Sequence, residues 1–189
     1  SSDVCSSDLG MGKSIGMVEL SSIARGIETS DYMVKAAQVD LIRSSTICPG
    51  KYVVIVAGDT GDVKASMKEG IDRGGEYLVD SLEIPNIHEQ LIPALSGTVT
   101  VDDPQAVGVI EFYSVASAIL AADQAAKAAQ ITLIEVRIGF AIGGKGFVTL
   151  TGDVGAVKAA VEAAVREKDL YVESTVIPRP APEVFQSLL

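Results

Sequence analysis

The chain is one unit written twice, and that constrains its fold more than any composition can. Ile15-Gly16-Met17-Val18-Glu19-Leu20 returns as Val107-Gly108-Val109-Ile110-Glu111-Phe112, 92 residues later. Lys35-Ala36-Ala37-Gln38-Val39-Asp40-Leu41 returns at the same interval as Lys127-Ala128-Ala129-Gln130-Ile131-Thr132-Leu133. Gly50-Lys51 returns as Gly144-Lys145 and Gly58-Asp59 as Gly152-Asp153, both after 94 residues, and Ile84-Pro85 as Ile177-Pro178 after 93. A register kept over the whole length, with one- or two-residue slips at loops, marks a tandem duplication. The polar stretch Ser96–Pro104, with Gly97, Asp102, Asp103 and Pro104, reads as the seam.

Each copy has the same pattern. Ser14–Leu20 and Ala106–Phe112 are apolar runs that predict strands. Ser21 or Ser22 is placed to cap a helix to about Gln38, with Ile23, Ile27 and Val34 on one face; its counterpart runs from Ser114 to about Gln130. Second strands are expected at Val39–Thr46 and Ile131–Ile138, third strands at Tyr52–Ala57 and Phe147–Thr151. Asp59 and Asp153 are candidate caps of helices carrying Val63, Met67 and Ile71, or Val157, Val161 and Val165. Fourth strands follow at Tyr77–Ile84 and Leu170–Val176, then short helical tails at Ile87–Leu95 and Pro182–Leu189. The order β-α-β-β-α-β is the split-βαβ plan: an α/β (α+β) fold, ferredoxin-like, with an antiparallel sheet and helices on one face. The expected units are residues 11–97 and 104–189. Residues 1–10, in which Ser-Ser-Asp recurs, read as an artefactual tail ahead of a natural start at Met11.

Setting that tail aside removes Cys5 and leaves Cys48 as the one cysteine, an argument for a reducing, cytosolic setting. Composition excludes other classes. Fifteen Lys and Arg against 25 Asp and Glu give a net charge of −10, a poor match for nucleic acid, which needs clustered cations. No apolar run approaches the roughly 18 residues of a membrane span. With 48% hydrophobic residues but no Trp and only 5% aromatics, Ala, Val, Ile and Leu must build the core, and apolar surface is expected to be buried against partner chains as well.

Cys48 stands in Thr46-Ile47-Cys48-Pro49-Gly50-Lys51, a stiff, tight loop at the mouth of a strand. By its residues alone it is either a metal-ligating thiol or one of the buried inert thiols common in cores. Gly139–Gly146 in the second copy nearly matches a phosphate-binding loop. That pattern needs Ser or Thr after the lysine and a helix after the loop, whereas Gly146 and a strand follow here. His88 has no metal-ligand partner at useful spacing and is expected on a surface helix. Glu19 and Glu111, at corresponding strand ends, are expected to share a structural role, such as accepting backbone hydrogen bonds, rather than to work as an acid–base pair. No acid, base and nucleophile set recurs at a plausible spacing, so an enzyme is not expected.

The Ile15–Leu20 opening, Lys35–Val39, the Gly58-Asp59 cap and Ile177-Pro178-Arg179-Pro180 resemble bacterial microcompartment (BMC) shell proteins. The duplication resembles their tandem-domain, trimer-forming branch, and the Thr46–Lys51 loop is similar to the propanediol-utilisation type that holds an iron–sulfur cluster. Each copy begins at the first strand of the plan, as in the unpermuted kind. The resemblance implies a homotrimer whose six copies form a flat pseudohexamer, packed edge to edge with other shell proteins in the microcompartment shell. It implies pore loops at Thr46, Ile47, Pro49, Gly50 and Lys51 and at Ile142, Gly143, Gly144 and Lys145. It makes Lys35, Lys127 and Arg179 tile-edge residues, with Asn86 standing where the second copy has Arg179. One 4Fe-4S cluster per trimer would be held by Cys48 of three chains, for electron transport across the shell or to an encapsulated redox enzyme. No nucleic acid or membrane partner is implied. The alternatives are a tile with an empty gated pore for small metabolites, and a soluble small-molecule-binding regulator on the same duplicated fold.

Overall fold

The computed structural model describes residues 13–102, 104–139, 141–166 and 169–186; the tail expected at residues 1–10 lies outside them. Two units emerge, one up to Glu89 and one from Gln90, each with a four-stranded antiparallel sheet. In the first, β1 (Ser14–Leu20), α1 (Ile23–Ala36), β2 (Asp40–Ile47), β3 (Lys51–Gly58), α2 (Thr60–Gly74) and β4 (Leu78–Ile84) give the sheet order β2-β3-β1-β4. In the second, α3 (Leu91–Ser96) precedes β5 (Ala106–Phe112), α4 (Val115–Ala128), β6 (Thr132–Ile138), β7 (Gly146–Gly152), α5 (Val154–Ala164), β8 (Tyr171–Ile177) and α6 (Pro182–Gln186), with order β6-β7-β5-β8.

The apolar runs become the central strands β1 and β3 of the first sheet, which are buried along both faces. Every residue of β1 is buried, while the edge strand β4 alternates between half-buried and exposed as far as Glu83 and ends on the buried Ile84. The irregularities are duplicated too. Pairing slips between Glu19 and Leu20 and between Leu41 and Arg43, and again between Glu111 and Phe112 and between Leu133 and Glu135. Bulges that survive duplication belong to the fold itself.

The first core joins Val18 and Leu20 of β1 with Met33, Tyr52, Val54, Val56, Val63 and Met67. Its closeness explains two glycines. A Cβ at Gly16 would lie 2.5 Å from Met67 Cγ, and one at Gly26 would lie 2.5 Å from Tyr52 Cβ, Cγ and Cδ1. α1 therefore lies on the sheet through Gly26, Thr29 and Met33. This corrects the sequence expectation: Ile23, Ile27 and Val34 do share a face, but it is an exposed one.

The helix starts divide likewise. Ser22 and Ser114 accept from the backbone N–H of Arg25 and Ser117, and Asp153 accepts from Gly155 and Ala156. Asp59 precedes α2 but makes no side-chain cap bond.

The division at Glu89 and Gln90 falls before the Ser96–Pro104 seam because α3 packs on β6. The Gln90 amide donates to Ile131 O at 3.0 Å and accepts from Leu133 N at 2.7 Å. It thus satisfies a donor and an acceptor of an edge strand, as a neighbouring strand would. Leu91, Ala94 and Leu95 are buried behind it. α6 buries Phe185 in a cluster with Val107 and Ile134.

Candidate functional site

The two corresponding hairpins carry the expected pore residues, and they have diverged. In the first copy Ile47 pairs with Lys51, leaving a turn of only three residues, Cys48, Pro49 and Gly50. Thr46, Ile47 and Lys51 are strand residues, so the loop is shorter than the Thr46–Lys51 expected from sequence. The Cys48–Pro49 peptide is cis and Gly50 has φ of +77°. An added Cβ at Gly50 would meet nothing within 4 Å, so the backbone conformation rather than space demands glycine there. Cys48 is a free, half-buried thiol, and Pro49 and Gly50 are exposed.

In the second copy β6 ends at Ile138 and β7 begins at Gly146. Between them Gly139, Ala141, Gly143 and Gly144 all have positive φ, and Lys145 N–H donates to Ile142 O at 3.2 Å. The lysine is followed by a strand, so the resemblance to a phosphate-binding loop stops at the sequence, as the missing hydroxyl residue indicates. Phe140 lies outside the described residues.

Each hairpin is tied at its base by an ion pair. Lys51 bonds Glu19, and Lys145 bonds Glu111 at 2.6 Å. The hydrogen bond to Glu111 raises the Lys145 pKa above the usual lysine value. The glutamates thus take the same part in both copies, and the partner seen is a lysine side chain. Sequence reasoning missed these pairs although the signal was present: glutamate and lysine recur together in both copies. The environments differ. The Glu19 side chain is 4% exposed and that of Glu111 33%.

The tile-edge candidates lie apart from the hairpins. Lys35 and Lys127 sit in the last turns of α1 and α4, where a cation suits the helix dipole. They bond Asp31 at 2.6 Å and Asp123 at 2.5 Å. The Asp31 bond raises the Lys35 pKa. Arg179 is exposed and lines an open cleft of about 480 Å³ with Pro104, Gln105, Asp153, Val154, Pro178 and Pro180. Asn86, its counterpart, takes a left-handed conformation with φ of 49°. His88 is half-buried in the segment before α3, not on a helix.

Among the described residues no three His, Cys, Asp or Glu side chains gather as a metal site. A cuboidal iron–sulfur cluster takes thiolates, usually four. The described part of one chain offers one. The donor set fits such a cluster only if it is shared among chains.

The BMC domain model matches residues 14–87 and 106–180. The chain is 46% identical over 182 residues to the bacterial microcompartment shell protein PduT of Citrobacter freundii, covering 95% of this chain and 99% of that protein. A microcompartment protein from Desulfitobacterium hafniense superposes with a TM-score of 0.89 at 46% identity, over 92% of this chain and 98% of that one. A fused permuted hexameric shell protein from the RMM microcompartment shares the fold at 23% identity, with a TM-score of 0.56 over 80% of this chain and 81% of that one.

Proposed function

This chain belongs to the BMC-domain family and is a structural protein of the bacterial microcompartment shell, and from that premise we propose that three copies close into a pseudohexameric tile with the Cys48 thiols meeting at its centre to hold an iron–sulfur cluster. The observation that carries the ring is an asymmetry between the copies. Val115, Ile119 and Ala126 of α4 are buried, whereas the corresponding Ile23, Ile27 and Val34 of α1 are exposed. The same contrast holds at the sheet edge, where Leu133 is buried and its counterpart Leu41 is 47% exposed. A surface covered in one copy and bare in the other is what a head-to-tail ring of chains would cover.

Duplication lets one hairpin carry chemistry while the other does not. Cys48 has no counterpart thiol in the second loop, so a threefold ring collects three sulfurs. Three thiolates leave one iron corner for a ligand from elsewhere. A cluster held this way would supply one-electron exchange at the tile. The work of this chain is to hold the three turns in place, and the peptide N–H groups beside Gly50 can approach the sulfides because no side chain stands there. Lys35, Lys127 and Arg179 are proposed as the contacts to neighbouring tiles.

Anaerobic reconstitution with iron and sulfide, followed by metal analysis and electron paramagnetic resonance, tests this. One cluster per trimer in the wild type, and none in Cys48→Ser, is the expected result. A trimer that takes up no iron would leave a shell tile with an open pore. A monomer in sedimentation would overturn the ring.

A further inference from the structure

Glu19 is a carboxylate set in a row of apolar side chains. It shares a sheet face with Ile15 and Met17 of β1, and with Val53, Ile55 and Ala57 of β3, all buried. Glu19 lies opposite Val53, so Lys51 is its diagonal neighbour across the β1–β3 pair, within reach of a long side chain. Lys51 opens β3 immediately after the Cys48-Pro49-Gly50 turn, and its ammonium reaches back along the sheet to the Glu19 carboxylate. On the other side of the turn, Ile47 is buried opposite Lys51.

We propose that Glu19 is a positioning residue for Cys48: by committing the Lys51 ammonium to β1 it pins the base of the turn and sets the charge around the thiol. The second copy has the same pair, but Glu111 is far more open to solvent and Lys145 also lies 5.2 Å from the Tyr113 ring. The copy with the cysteine is therefore the copy with the buried carboxylate. The proposal rests on Cys48 being the ligating residue, but its first test needs no cluster.

In cluster-free trimer, the rate at which Cys48 attacks a dianionic aromatic disulfide (dithiobis-nitrobenzoate) is measured, with Cys48→Ser protein correcting for Cys5. Glu19→Gln keeps the shape of the side chain and releases the lysine charge, so the rate should rise by about two- to fivefold. Lys51→Met leaves the carboxylate alone and should lower it by a similar factor. The double variant should return towards wild type, and Lys145→Met should match wild type. A turn that was merely loosened would speed up in both single variants. Shifts in the same direction, or an unchanged rate in Glu19→Gln, would overturn the proposal. If Lys51→Met does not fold, the double variant decides: a rate equal to that of Glu19→Gln refutes it. With iron and sulfide loaded, Glu19→Gln should raise the midpoint potential. Wild type that takes up no cluster would remove the ligand assignment and leave the thiol experiment standing.

Discussion

Asp123 holds the Lys127 ammonium at 2.5 Å with its own side chain only 3% exposed, while the corresponding Asp31, which holds Lys35 at 2.6 Å, is 59% exposed. The same i, i+4 pair thus occurs once with its carboxylate buried and once with both side chains in water. Exposed helix pairs contribute about 0.3–0.5 kcal/mol, whereas a carboxylate held away from water depends more strongly on each partner it has. Lys127→Ala should therefore destabilise the protein more than Lys35→Ala, because it takes an ammonium from a buried carboxylate rather than from an exposed one. Urea denaturation of the two variants measures the difference, and equal losses would refute it.

Two glycines should respond to alanine with opposite signs. At Gly26 a Cβ would sit 2.5 Å from three Tyr52 atoms, one of them the Cβ, which cannot rotate away. Gly26→Ala should cost about 1–3 kcal/mol through overpacking. Gly61, in the first turn of α2, has nothing within 4 Å of the added atom. Gly61→Ala should stabilise by up to about 1 kcal/mol because glycine is the poorer helix former. Thermal melts of the two variants against wild type provide the check.

The Lys145–Glu111 pair gives a pH dependence of fixed sign. The glutamate raises the lysine pKa above its ordinary 10.5 in the folded chain. A lysine raised on folding contributes its full stability below the unfolded value and loses it as pH rises through the folded one. Lys35 and Lys68, raised by hydrogen bonds to Asp31 and Asp72, act in the same direction. Denaturation midpoints should fall as pH rises beyond 10.5, and Lys145→Met should show a shallower fall than wild type. A variant as steep as wild type would show that the pair contributes nothing.

The strand plan was legible because its signal is local. β1 and β5 begin and end where the apolar runs do, and the remaining strands lie within a residue of their expected ends. The helix face was not. Periodicity identifies Ile23, Ile27 and Val34 as one stripe but cannot say what covers it, and in α1 the sheet takes the stripe bearing Gly26 and Met33. Small residues such as Gly26 carry no hydrophobic signal, although they permit the closest approach. At the hairpins, Cys48 and Gly50 stood out by residue type. The Lys51–Glu19 pair joins residues 32 positions apart, a distance that a motif search does not span and that only the comparison of the two copies could have bridged.

The bare stripe on α1 yields the most discriminating pair of variants. Ile27 is 55% exposed and its counterpart Ile119 is fully buried. A charge at Ile119 must be buried or must open α4, so Ile119→Glu should abolish cooperative folding. The same charge at Ile27 remains in water within one chain and is buried only if a second chain lies on α1. Ile27→Glu should therefore leave each chain folded by circular dichroism while sedimentation shows the proposed trimer falling apart. If the interface residues carry most of the association energy, one buried charge suffices for this. A trimer that persists in Ile27→Glu with unchanged affinity would show that the subunits meet through another surface, and the exposed apolar residues of α1 would then need a different partner.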